Sequence, residues 1–254
     1  MNNKAFTLAE VLITLGIIGV VAVLTLPTLF NNHRKYVLHK QFLKVYSDLS
    51  NASKLFEVHE DISVHDFSKT NESNYNSNKT LETFMKYYRG KSQRVNRTPG
   101  MSSDNPDYKP MYSDILGYDP KSLGGTTIDG LIRGTPCDES GAIQNISGAI
   151  FLMDNSLTGT YANITAGPKI CVDTNGKNPP NTFGYDWFVF IFMPDGSVVP
   201  YTQNSITGYG TELSDKSAYC NYAQKNATYT CAYYALQDIS PVDSTKTYWK
   251  DFLK

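Results

Sequence analysis

The chain has 254 residues, a formal net charge of −1, 41% hydrophobic residues and 19% charged residues. That length holds one large domain or two small ones, and so even a charge balance excludes a general attraction to nucleic acid or anionic lipid, leaving such work to local patches. The hydrophobicity is unevenly placed: between Phe6 and Phe30 the one charged residue is Glu10, while the remainder is rich in Ser, Thr, Asn, Tyr and Gly.

The first predicted element is an apolar helix. Val11 to Leu26, with Phe6, Thr7 and Leu8 ahead of it, approaches the ~20 residues that carry a helix across about 30 Å of hydrocarbon. A cleavable secretory signal also opens on a short basic stretch, here Met1 to Lys4. No convincing Ala-x-Ala site follows the run, however, and Glu10 interrupts what such a signal keeps apolar. A carboxylate in hydrocarbon costs about 2.5–3.5 kcal/mol on insertion scales, so it is expected to be paired or functional.

The segment Lys4-Ala5-Phe6-Thr7-Leu8-Ala9-Glu10, continued by Val11-Leu12-Ile13-Thr14-Leu15-Gly16-Ile17-Ile18-Gly19, resembles the leader and first helix of type IV prepilins and type II secretion pseudopilins. The resemblance is close as far as Phe30 and loose along the helix that follows. It implies that prepilin peptidase cuts between Ala5 and Phe6, that the new Phe6 amine is methylated, and that Glu10 accepts this cationic amine from a neighbouring subunit. An amine with a pKa near 8 is positive at neutral pH, and pairing offsets the burial of two charges. The family usually has Gly before the cut, where this chain has Ala5; a small residue remains, and slower cleavage is expected. The resemblance further implies a single pass through a bacterial inner membrane, a head outside the cytoplasm, and a later place in a periplasmic or cell-surface fibre (fimbrium). Other pilin or pseudopilin subunits are the partners.

One feature of the charge pattern opposes that orientation. Arg34, Lys35, Lys40 and Lys44 follow the span and outnumber Lys4 before it, which by the positive-inside rule alone places the head in the cytoplasm. The leader resemblance and the cysteines point the other way.

Within the helix, Pro27 removes a backbone donor and predicts a kink, and Gly16 and Gly19 allow close helix packing, although any membrane helix carries such glycines. Beyond the span, Leu38, Phe42, Val45, Leu49, Ala52 and Phe56 recur in alternating steps of four and three, with Lys40, Lys44, Asp48 and Lys54 off that stripe. This is an amphipathic helix, and it is short for a coiled coil. The chain thus divides into a leader (1–5), an assembly helix (6–30), an amphipathic helix (31–58) and a head (59–254).

From about 61 to 135 the composition shifts to Ser, Asn, Pro and Gly, as in Asn71 to Asn78 and Thr98 to Pro110, with Leu81 to Tyr88 as a short helix. This reads as a long variable connection. Strand patterns follow at Ala149 to Met153, Lys169 to Val172, Trp187 to Met193 and Ser197 to Tyr201, the last two joined by Pro194-Asp195-Gly196 in a hairpin. The expected fold class is α+β: a long N-terminal helix packed on an antiparallel sheet, pilin-like.

Cys137, Cys171, Cys220 and Cys231 all lie in the second half and form no Cys-x-x-Cys. An even count without metal spacing favours two disulfides and an oxidising compartment; four reduced thiols are the alternative. Ease of loop closure favours Cys137 with Cys171 and Cys220 with Cys231, one of three possible pairings.

Asp173, Asn175 and Asp186 offer oxygen ligands for calcium, but the EF-hand pattern is not met, and Asp and Asn beside Gly176 and Gly184 are turn formers first. No other cofactor is expected. His33, His39, His59 and His65 all precede the head's strands, which leaves no base for a Ser or Cys triad there, and no phosphate-binding or dinucleotide motif occurs. The chain is read as a non-enzyme. The basic run Lys86, Arg89, Lys91, Arg94 and Arg97, with Tyr87 and Tyr88 beside it, has the composition of a phosphate-binding strip, but a solvated basic loop is the preferred reading and nucleic acid is not expected as a partner. The functional reading is a structural pilus or pseudopilus subunit; the alternative is a membrane-anchored binding or adhesion protein that never polymerises.

Overall fold

The computed structural model describes residues 7–71, 77–95, 116–128, 137, 142–154, 160–161, 164–165, 167–201, 220–223 and 226–254. The apolar and amphipathic stretches are one element: α1, Leu8–Glu60, runs for 53 residues, about 80 Å at 1.5 Å per residue. It begins at Thr7 in a capping box and stops where Asp61 turns left-handed at φ 55°. It passes without a break through Pro27, where the bond that residue's missing N–H would make to Val23 is lost.

Two environments divide α1. From Leu8 to Phe30 its large side chains are exposed, Leu24 at 71% and Phe30 at 66%. From Lys35 onward one stripe is buried, and Leu38, Phe42, Val45, Leu49, Ala52 and Phe56 are each at most 3% exposed. Each such large side chain contributes about 1.5–3 kcal/mol on leaving water. Asp48, expected off the stripe, is also buried, with its carboxylate 2.8 Å from Lys44 Nζ.

After α1 come α2 (Val64–Asn71), α3 (Ser77–Met85) and strand β1 (Ser92–Arg94). Within 61–135, read from sequence as a connection, part of the chain is therefore regular, and the helix at 77–85 starts and ends earlier than the one expected over 81–88. The remaining strands are β2 (Ile143–Asn145), β3 (Ile150–Asp154), β4 (Thr160–Tyr161), β5 (Ile164–Thr165), β6 (Lys169–Asp173), β7 (Trp187–Phe192) and β8 (Val198–Pro200). Among the described residues they form a six-stranded antiparallel sheet in the order β1-β2-β3-β6-β7-β8 and a separate β4-β5 pair. The chain closes with a 3₁₀ turn (Asn226–Thr230), α4 (Cys231–Gln237) and a π-helical turn (Tyr248–Phe252).

Helix α1 packs on one face of this sheet. Phe188, Phe190 and Phe192 of β7 point toward it with Phe151 and Met153 of β3, and Phe84 and Tyr88 close the same layer. The opposite face, Trp187, Val189 and Ile191 with Ile150 and Leu152, is covered by Leu116, Ile128, Phe183 and Tyr229. Both faces of β7 are dry, which is why Trp-Phe-Val-Phe-Ile-Phe is uninterrupted by polar residues instead of alternating.

The β7–β8 hairpin turns at Gly196, φ 75°, as the Asp-Gly pair dictates. Helix α1 holds it: Ser53 Oγ donates to Gly196 O at 2.7 Å, and Tyr46 OH to Val198 O at 3.1 Å.

Candidate functional site

At the N-terminal end of α1 the Glu10 carboxylate already has partners in its own chain. Thr7 N and Thr7 Oγ1 each donate to Glu10 Oε2 at 2.8 Å, and Glu10 N donates back to Thr7 Oγ1 at 3.3 Å. A carboxylate on the third helical residue suits the unpaired N–H groups and positive dipole end there. Thr7 was missed as a functional residue from sequence, although Thr7-Leu8-Ala9-Glu10 has the Thr-x-x-Glu spacing of a capping box. Ala5 and Phe6 lie outside the described residues.

Among the described residues, helix α1 is the one helix long and apolar enough to cross a membrane, with none of its apolar window buried in the protein. Beyond the apolar stretch, the four basic residues that oppose an outward head divide into two kinds. Lys35 is buried, and its Nζ donates to Leu253 O at 2.5 Å and Lys250 O at 3.4 Å; burial lowers its pKa, while Asp251 acts to raise it. Lys44 bridges Asp48. Lys35 thus serves the head's own packing, whereas Arg34, Lys40 and Lys44 are exposed, Lys44 with Asp48 as its partner.

The cysteines form Cys137–Cys171 and Cys220–Cys231, closing sequence separations of 34 and 11. The first ties the connection to β6 on the sheet face away from α1, and the second lies beneath Tyr248 on the α1 side. On loop-closure entropy the longer loop contributes about 4 kcal/mol and the shorter about 3 kcal/mol. The expected outcome is a larger loss of unfolding free energy for Cys137→Ala/Cys171→Ala than for Cys220→Ala/Cys231→Ala, measured by denaturant titration under oxidising conditions.

Asp173, Asn175 and Asp186 come together at one end of the sheet, where β6 leaves for β7 through a turn containing a cis Pro179–Pro180 bond. Both aspartates are fully buried. Asp173 accepts from Asn175 N and from Tyr118 OH, and Asp186 accepts from Thr182 N at 2.6 Å and Asn181 N at 2.8 Å. All four carboxylate oxygens therefore take protein donors, the Asp173–Asn175 bond as an Asx turn. Gly176, at φ 66°, brings this turn so close to the β2–β3 turn that a Cβ would sit 2.3 Å from Gly148 O.

Burial, then Asp186, raises the Asp173 pKa well above the usual carboxylate range, and burial pushes Asp186 up to about 7. A raised carboxylate contributes stability that is complete below its unfolded value and is lost as pH rises through its folded value. The thermal midpoint of the head is therefore expected to fall between about pH 5 and about pH 8, and Asp186→Asn to shrink that fall. His39, whose pKa burial lowers, acts in the opposite sense, so the readout is wild type minus variant across the pH series. The same pair carries the calcium proposal: added calcium that raised the wild-type midpoint and left Asp186→Asn unmoved would support it, and equal midpoints would remove it.

The basic run does not make a stacking platform. Tyr88 is buried against Phe151 at 4.8 Å, and Tyr87 packs on Phe56 and His59 with its hydroxyl donating to Glu60 Oε1 at 2.6 Å. Arg94 bridges Glu82, Lys86, Arg89 and Lys91 are exposed, and Arg97 lies outside the described residues. Among the described residues no three His, Cys, Asp or Glu side chains are grouped to hold a metal.

Residues 1–26 match the family model described as the prokaryotic N-terminal methylation motif. The chain carries a prepilin-type N-terminal segment. No curated protein and no solved structure matches the chain. The matched residues include Ala5, Phe6, Thr7 and Glu10. The motif implies processing by prepilin peptidase, insertion of the N-terminal helix in a membrane, and a structural protein instead of an enzyme.

Proposed function

We propose that this chain is a structural subunit of a type IV pilus or pseudopilus. In this reading the chain is held in the bacterial inner membrane by residues 8–30, cut between Ala5 and Phe6, methylated on the Phe6 amine, and then drawn into a fibre. The observation that carries it is that the methylation motif runs directly into one 53-residue helix, exposed over its first half and built into the head over its second. Such a helix joins the head rigidly to the part that packs with neighbours. A flexible tether between anchor and head would suit an adhesion protein that does not polymerise.

In the fibre, Glu10 exchanges its contact with Thr7 for the amine of an adjacent subunit, and the pair sets axial register. Two disulfides support a head outside the cytoplasm, and Lys35, buried inside the fold, weakens the positive-inside count against it. The role needs no cofactor and no nucleic acid. The deciding measurement is the N-terminal sequence and mass of the protein from its native membrane or shed fibre. A chain beginning at N-methylated Phe6 is the expected result; an intact Met1, or a cut after the apolar run, would leave a signal anchor or ordinary secretion.

A further inference from the structure

The foot of the head is built around Lys35. Helix α1 leaves its apolar stretch at Phe30 and reaches Arg34 after about 6 Å and Lys35 after about 7.5 Å of axial rise. The headgroup layer on each side of a bilayer is about 5–8 Å deep. Because the buried Lys35 ammonium donates to Leu253 O and Lys250 O, the lower edge of the C-terminal turn lies near that depth, while its Trp249 packs higher on α1 against His39.

Exposed cations ring this foot. Arg34 stands on α1, and Lys250 and Lys254 stand on the C-terminal segment; none of the three forms an ion pair among the described residues. Asp251, the carboxylate between them, is turned onto Thr247, accepting from its N and Oγ1 at 2.9 Å each. The aromatic neighbours suit the same depth: Tyr36 is 59% exposed, and Lys254 Nζ lies 4.3 Å from the Tyr222 ring centre. Lys, Arg and Tyr in one layer beyond an apolar span is the composition of a membrane interface.

We propose that the underside of the head, Arg34, Lys250 and Lys254 around the turn held by Lys35, docks on anionic phospholipid headgroups of the bilayer that holds α1. The proposal rests on the reading that residues 8–30 span a membrane. Docking fixes the tilt of the head before assembly, and entry into a fibre breaks it. It also gives the basic residues after the span a use on the far side of the membrane, where the positive-inside rule would not put them. Each cation near such a surface favours the docked state by about fivefold; with the exposed Asp251 carboxylate set against the three, the net of two charges favours it on the order of thirtyfold.

The test uses the full chain in vesicles of phosphatidylcholine alone and of phosphatidylcholine mixed with phosphatidylglycerol, with hydrogen–deuterium exchange followed over residues 31–37 and 248–254. Slower exchange by several-fold in the anionic vesicles, reversed by high salt and lost in Arg34→Gln/Lys250→Gln/Lys254→Gln, is expected. A control variant, Lys121→Gln/Lys177→Gln, should keep the protection. Equal exchange in the two lipids, or protection that survives the triple substitution, would overturn the proposal. Flotation with the vesicles is read separately: a chain that floats but shows no lipid difference refutes headgroup docking alone, and one that does not float refutes the membrane-spanning reading and the docking with it.

Discussion

Replacing Glu10 by Ala is expected to leave the chain in the membrane with its head folded and to remove it from the fibre. Nothing in the head depends on Glu10, since the buried stripe of α1 starts at Lys35 and the Glu10 carboxylate contacts Thr7. Insertion should improve slightly, because a carboxylate at membrane depth is unfavourable by about 2.5–3.5 kcal/mol. Assembly should fail, because breaking a buried ion pair costs about 3–5 kcal/mol, more than about a hundredfold in an equilibrium between subunits. The measurement is the ratio of protein in the sheared fibre fraction to protein that floats with membranes. Glu10→Gln separates the two jobs of this side chain: it keeps an oxygen for Thr7 and loses the charge. Incorporation of Glu10→Gln at the wild-type level would show that charge pairing is not the requirement, and absence of the wild-type chain itself from the sheared fibre fraction would favour the non-polymerising anchored protein.

The second large effect is expected at Phe42. Its side chain is fully buried where α1, the sheet and the C-terminal turn meet, with ring centres 4.4 Å from Phe188, 5.6 Å from Trp249 and 6.0 Å from Phe190. Three elements close on one ring, so the site cannot collapse by moving a single neighbour. Phe42→Ala is expected to cost about 3–5 kcal/mol, a large share of the 5–15 kcal/mol typical of a whole domain. Thermal unfolding of the detergent-solubilised chain, followed by near-ultraviolet circular dichroism, should show a clearly lower midpoint. Membrane insertion should persist, since the exposed half of α1 makes no contact with Phe42. A midpoint within a degree or two of wild type would mean that α1 is not seated on the sheet as described here.

Both predictions rest on residues legible in the sequence, Phe42 by periodicity and Glu10 by its charge in an apolar run. The stripe from Leu38 to Phe56 is legible because a helix of 3.6 residues per turn must put residues three and four apart on one side, and water sorts that side from the other. The β7–β8 hairpin is legible because Asp195-Gly196 between apolar runs leaves few alternatives for the backbone. Glu10 stands out because hydrocarbon makes one carboxylate conspicuous. Asp48 lies beside the stripe, as the spacing predicts, but is buried, with Tyr88 near enough to feel its charge, which the spacing does not show.

The sequence by itself determined the membrane-length helix, its processing motif, the face it buries and the antiparallel hairpin, all of them consequences of spacing within one segment. Tertiary structure decided the rest. It set Lys35 under the C-terminal turn, two hundred residues away in the chain, and laid Leu116 and Ile128 over the sheet face that α1 leaves open. It brought Asp173 and Asp186 into one dry turn with Tyr118, and it drew Tyr87 and Tyr88 away from the basic run they adjoin. The physical reason is common to these cases: periodicity records which side of an element avoids water, while the segment that covers that side, and so the charge or hydroxyl that must find a partner there, depends on contacts between parts of the chain that carry no local signal of each other.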